Sequence, residues 1–231
     1  MNGLTRKIHE IFRPKAALIA YECGEGYDKN SYLELRPIDG NGRMGAAVPV
    51  SYDFMNALVD NYSADACGTP HGMVPENMLW CDTRRGHERY VWWNAPRRRR
   101  MFFKDSLNIA DGEFGVPGVV YDVKADSLSV YAFKGVRPGI DDELYRAPFF
   151  NVTAASVCLG NAPLNLPPDP SFACLIECWE RRFWMSEFSH LGGGRNPTRG
   201  NLVIVTENAR DKSFDYDELI PMDMKLKDLL K

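Results

Sequence analysis

The sequence predicts an α+β fold: an antiparallel meander sheet packed by helices, with an added N-terminal hairpin and helix. Three observations carry that prediction. Strand-like runs follow one another from about residue 79 to 134, one strong amphipathic helix lies over 172–188, and no apolar run is long enough to span a membrane. The composition belongs to an ordinary folded chain, with 45% hydrophobic and 26% charged residues in 231, which excludes disordered and fibrous classes.

Residues 15–38 read as a hairpin. KAALIAYEC is a short apolar run, CGEGYDKNS supplies turn chemistry, and SYLELRPI alternates apolar with polar. Residues 51–62 follow a Ser suited to capping a helix, and Phe54 and Leu58 begin an i, i+4 stripe. Residues 63–77 turn loop-like around Gly68, Pro70, Gly72 and Pro75. NMLWCD, RYVWWN, RMFF, GVVYDV and SLSVYAFKG then form the meander, the last two joined by the polar turn KADS. Residues 137–170 carry no long periodic element. In the 172–188 helix, Phe172, Leu175, Ile176, Trp179, Phe183 and Phe188 make one apolar face, and Gly192, Gly193 and Gly194 end it. LVIVTEN (202–208) reads as a late strand, and the chain closes in helical turns broken at Pro221. No repeat or low-complexity linker divides it, so 1–231 reads as a single domain, with 1–78 an N-terminal elaboration and 79–231 the core and C-terminal helices.

Charge narrows the function. With 28 Lys and Arg against 31 Asp and Glu, the net charge of -3 disfavours a protein that works by clamping phosphate backbones. The N-terminal stretch MNGLTRKIHEIFRPK lacks the apolar core of a secretion signal, so a cytoplasmic chain is expected, with its six cysteines as thiols.

One thiol stands apart. Cys158 lies in RAPFFNVTAASVCLGNAPLNLPP, an irregular stretch where a nucleophile is accessible. Asn151 precedes it by seven residues, and its amide can either hold the flanking turn or donate to a developing oxyanion. The alternative for Cys158 is a small buried hydrophobe between Val157 and Leu159. His190, in SEFSHLGGG, is either a base folded back toward Cys158 by the glycines or a cation at a helix C-terminus.

The segment FFNVTAASVCLGN resembles the active-site region of ubiquitin-conjugating (E2) enzymes, with Asn151 at the Asn of their His-Pro-Asn turn and Cys158-Leu159 at their Cys-Leu. It departs from them in two ways: Phe149 and Phe150 replace His-Pro, and the Asn-to-Cys spacing is one residue shorter than usual. The chain as a whole is more similar to the bacterial E2-like proteins called PRTRC system protein B, the prokaryotic E2 family D. The pieces that carry this include VPENMLW, WWNAPRRRRMFF, VPGVVYDV, LSVYAFKGVRP, LYRAPFFNV and FWMSEFSHL.

The resemblance implies an E2/UBC-like fold and an E2-like transferase in which Cys158 carries a ubiquitin-like protein as a thioester and passes it to an amine on a target. It implies an E1-like activating enzyme, a ubiquitin-like protein, a protein target and a JAB-type peptidase as pathway partners, and no cofactor of its own. Some related bacterial operons act against phage. The alternative from another class is a non-catalytic E2-like scaffold that binds the ubiquitin-like protein or the E1-like partner.

The remaining candidates are weaker. Cys174 and Cys178 are one helical turn apart and so share a face, but neither a redox Cys-x-x-Cys spacing nor further metal ligands accompany them. Cys23, Cys67 and Cys81 belong to no motif. Arg97–Arg100 could serve as a docking surface, a phosphate track or a solvated strand edge.

Overall fold

The computed structural model describes residues 13–23, 30–56, 69–84, 86–160 and 164–231. The chain divides into two compact units, Met1–Ala66 and Cys67–Lys231.

In the first unit β1 (Ala16–Cys23) and β2 (Asn30–Pro37) pair antiparallel, as the alternating pattern predicts. The helix expected over 51–62 is helical at 52–56, where Ser51 Oγ accepts the Phe54 N–H at 3.2 Å. Residues 57–62, the hairpin turn at 24–29 and Cys67 lie outside the described residues.

The second unit is α+β and built on a largely antiparallel sheet, as expected. Its central path runs β10 (Val152–Thr153), β11 (Ser156–Val157), β8 (Ser127–Phe133), β7 (Gly118–Lys124), β4 (Arg89–Asn94), β3 (Met78–Asp82). The β8 edge has two partners. Ser156 of β11 faces Ser129, while β9 (Glu143–Arg146) takes over two residues further on, with Arg146 facing Tyr131. β13 (Pro221–Lys225) pairs in turn with β9.

The meander is interrupted. β4 pairs directly with β7, and the intervening β5 (Arg97–Phe103) and β6 (Gly112–Val116) leave to form a second sheet. Its third strand, β12 (Glu187–Phe188), pairs in parallel with Phe102 and Phe103.

Helix α1 (Phe172–Trp184) is capped by Ser171, whose hydroxyl accepts the Cys174 N–H at 3.1 Å. It buries Phe172, Leu175, Ile176, Trp179, Phe183 and Trp184 against the sheet. Each such side chain contributes about 1.5–3 kcal/mol through area removed from water. Trp92 and Tyr121, stacked at 5.1 Å, receive this face, and Trp184 Nε1–H donates to the Tyr121 hydroxyl at 2.9 Å. The opposite face of the sheet is also covered: Val91, Val120, Phe133 and Leu144 pack with Leu226 and Leu229 of α3 (Leu226–Leu229).

Two expectations are corrected. The helix ends at Trp184 instead of 188. Phe188 is buried as the apolar face demands, but it reaches the core from β12 after a reversal at Met185–Ser186. LVIVTEN is helix α2 (Leu202–Asn208), not a strand. Asn201 caps it by accepting the Val203 N–H at 3.0 Å, and Leu202, Val205 and Thr206 bury at helical spacing. The β-branched run hid a helix that packing favours over propensity. Near the C-terminus, Pro221 opens β13 instead of breaking a helix.

A candidate active site around Cys158

Phe149 and Phe150 anchor the segment that leads to the site. Phe149 packs edge-on against Phe183 at 5.6 Å and Trp184 at 5.1 Å, and Phe150 meets Phe103 at 6.1 Å. Both rings are buried, so the backbone that follows starts from a fixed point. Asn151 then turns the chain with φ 60°, a left-handed conformation that Asn tolerates better than most residues. The tight hairpin β10–β11 follows, with Ala154 also left-handed at φ 58°. The Ala155 carbonyl accepts the Val130 N–H at 2.9 Å, which docks the hairpin on the sheet edge.

Cys158 emerges at the hairpin's end. Its thiol is exposed, whereas the flanking Val157 and Leu159 pack on the core. The Cys158 N–H donates to the Asn151 carbonyl at 2.7 Å, and the Asn151 N–H donates to the His190 carbonyl at 2.8 Å. The three residues singled out from sequence therefore belong to one hydrogen-bonded assembly.

The Asn151 side chain is 5% exposed and spends its polar groups on the same connection. Its Nδ2 donates to the Glu187 carbonyl at 2.8 Å. Its Oδ1 accepts from the Ser189 N–H at 2.9 Å, the Ser189 hydroxyl at 3.1 Å and the His190 N–H at 3.3 Å. Of the two roles open to this amide, the geometry displays the holding one.

His190 is not at a helix terminus. The reversal after Trp184 and strand β12 bring it back to Asn151, so the length of α1 does not separate it from the Cys158 segment. Ser189, which belongs to no sequence motif, orients it: the Ser189 hydroxyl and His190 Nδ1 are 3.0 Å apart. A hydroxyl has one proton, and here Asn151 Oδ1 receives it. A serine beside a histidine was the only sequence signal available for this.

The glycine-rich turn closes the assembly from outside. A Cβ built on Gly192 would overlap the Val152 carbonyl and lie 2.5 Å from Thr153 Oγ1. Only glycine lets the turn lie directly on β10.

The other cysteines are placed differently. Cys174 and Cys178 share a face with sulfurs 4.0 Å apart, and Cys178 also points at the Asn165 carbonyl at 3.7 Å. Burial pushes the Cys178 thiol up, and it does the same to Cys81, so neither forms a thiolate readily. Among the described residues, no cluster of three or more His, Cys, Asp or Glu side chains is arranged to hold a metal ion.

Arg97–Arg100 lie on β5 and are largely engaged within the fold. Arg97 and Arg99 both donate to Glu180 Oε2 on α1, at 3.0 and 2.5 Å, and Arg98 pairs with Asp211. The other oxygen of Glu180 accepts from Trp92 Nε1 at 3.2 Å and Asn94 Nδ2 at 2.5 Å. Arg100 lies over the Phe102 ring at 5.7 Å. The run thus ties helix to sheet. Glu180→Gln keeps the shape but removes the charge that answers two guanidiniums, and should lower stability by about 2 kcal/mol in urea unfolding. An unchanged midpoint would mean that the bonds are incidental.

Comparison with known proteins follows the same residues. A family model described as prokaryotic E2 family D matches residues 54–222. No curated protein and no solved structure matches the chain. Among the described residues, no helix is long and apolar enough to cross a membrane.

Proposed function

The chain belongs to prokaryotic E2 family D, and from that premise we propose that it is an E2-like transferase whose nucleophile is Cys158. An E1-like enzyme presents the C-terminal carboxyl of a ubiquitin-like protein as a thioester. The Cys158 thiolate attacks that carbonyl, the E1 thiolate leaves, and the acyl group now rests on Cys158 Sγ. An amine of the target protein attacks in turn, loses a proton, and expels the Cys158 thiolate as the amide forms. ATP is consumed upstream, when the carboxyl is activated.

The observation that carries this reading is the placement of Cys158: an exposed thiol between Val157 and Leu159, both packed on the core, with its own N–H bonded to the Asn151 carbonyl. Exposure gives a protein-sized substrate access, and the fixed backbone limits the thioester to few orientations. Asn151 serves as a positioning residue in this scheme. His190 is the candidate acceptor for the proton of the attacking amine, and Ser189 orients its ring.

The test is a charging reaction with the E1-like enzyme, the ubiquitin-like protein and ATP, read on a non-reducing gel. Wild type should give an adduct removed by thiol reductant. Cys158→Ala should give none, and Cys158→Ser an adduct that resists reductant, because an oxygen ester replaces the thioester. A reductant-sensitive band in Cys158→Ala would reassign the nucleophile. Absence of any band, with the ubiquitin-like protein still bound, would establish the scaffold function instead.

A further inference from the structure

Beside the Cys158 hairpin lies a cleft of about 390 Å³ lined by Val152 and Thr153 of β10 and by Arg146 and Arg195. The topology explains its position. β8 changes partner from β11 to β9 within two residues, so β9 ends at Arg146 next to the start of the hairpin. The Gly192–Gly194 turn and Pro221–Asp223 of β13 form the remaining walls. Ala154, Gly193 and Asp223 in that wall all have positive φ, at 58°, 61° and 54°. Two of these are not glycine, and such strain persists where the surroundings enforce it.

The cleft brings together two arginines that lie outside the ion pairs of the fold. Arg89, Arg97, Arg98, Arg99, Arg181 and Arg210 each hold a carboxylate. Arg146 and Arg195 hold none among the described residues, although Arg146 is half-buried. The one carboxylate in the lining, Asp223, leaves the cleft net positive, and a partly desolvated guanidinium such as Arg146 favours a further anion brought from outside. Ala147, Pro197 and Met222 add apolar wall between the polar groups, which suits an extended peptide with alternating side chains.

We infer that this cleft binds an acidic segment of the acceptor protein, with Arg146 and Arg195 receiving its carboxylates while the acceptor amine approaches Cys158. The inference rests on the transferase reading for its purpose, but the binding itself does not require transfer. The amine arrives as a cation, and a net-positive cleft against the hairpin that carries Cys158 favours acceptors that bring negative charge of their own. Arg146 and Arg195 would therefore select acceptors whose lysine has acidic neighbours.

The test uses a fluorescein-labelled peptide with one lysine and two glutamates spaced by glycines, and its counterpart with glutamines. Fluorescence polarisation is measured on the full chain in the Cys158→Ala background, so the result is independent of thioester formation. The acidic peptide should bind at least about tenfold more tightly than the glutamine peptide, and Arg146→Gln with Arg195→Gln should erase the difference. Asp223→Asn removes the carboxylate in the cleft wall and should tighten the acidic peptide, a gain that misfolding cannot imitate. Equal binding of the two peptides, or a difference that survives both arginine substitutions, would overturn the inference. So would arginine variants that impair charging of wild-type Cys158 but leave discharge to the acidic peptide unchanged, since the cleft would then serve the ubiquitin-like protein.

Discussion

Asn151→Ala is expected to lower the stability of the unit spanning Cys67–Lys231 by about 4 kcal/mol, a large share of the 5–15 kcal/mol that holds a typical domain together. Two effects add. Alanine at φ 60° costs roughly 1 kcal/mol more than asparagine. Removing the amide leaves the Ser189 and His190 N–H groups and the Glu187 carbonyl without partners at a buried position, at about 1–3 kcal/mol for each group that finds no substitute. Asn151→Gly separates the two, because it relieves the backbone and still deletes the amide. It should recover only the smaller part. Urea unfolding reads the stability, and charging of Cys158 reads the function. Both variants should lose charging more than their folded fraction explains, since the amide connects the Cys158 segment to His190. Charging in proportion to folded protein would remove Asn151 from the site and leave it a purely structural residue.

Gly192→Ala is the second large effect, and it acts from the other side of the same assembly. The new methyl overlaps backbone atoms of Val152, which cannot swing away as a side chain can. Either the turn lifts or β10 shifts, at about 3 kcal/mol, and the hairpin that delivers Cys158 moves with it. Gly194→Ala is the control. Nothing lies within 4 Å of its added Cβ, so only the positive φ of 67° is charged against it, roughly 1 kcal/mol. Gly192→Ala should lose charging and Gly194→Ala should keep most of it. Equal behaviour of the two would show that close packing on β10 is unimportant.

Much of this architecture was legible in the residues, for identifiable reasons. β4, β7 and β8 bury side chains on both faces and so read as dense apolar and aromatic runs. The buried positions of α1 repeat at helical spacing from Phe172 to Phe183. What stayed hidden has no period to detect. β10, β11 and β12 are two residues long, and an apolar face that continues to Phe188 cannot reveal that the last aromatic arrives by strand. The departure of β5 and β6 from the main sheet depends on long-range pairing of Phe102 and Phe103 with β12, which no local pattern records.

The site shows the same division. Spacing and resemblance single out Cys158, Asn151 and His190 as candidates, and backbone hydrogen bonds join the three. Ser189, Gly192 and the Arg146–Arg195 cleft are not singled out that way, because each matters through contacts made across a chain reversal. The arginine run pointed outward in sequence, whereas Glu180 draws two of its guanidiniums onto α1.

The most direct measurement is mass spectrometry of the peptide that carries the acyl group after charging with the E1-like enzyme, the ubiquitin-like protein and ATP. Digestion at mildly acidic pH preserves a thioester. The C-terminal remnant of the ubiquitin-like protein is expected on the peptide containing Cys158, and it should disappear after reduction. A remnant on Cys81, Cys174 or Cys178 instead, or none on any cysteine while the E1-like enzyme is itself charged, would contradict it.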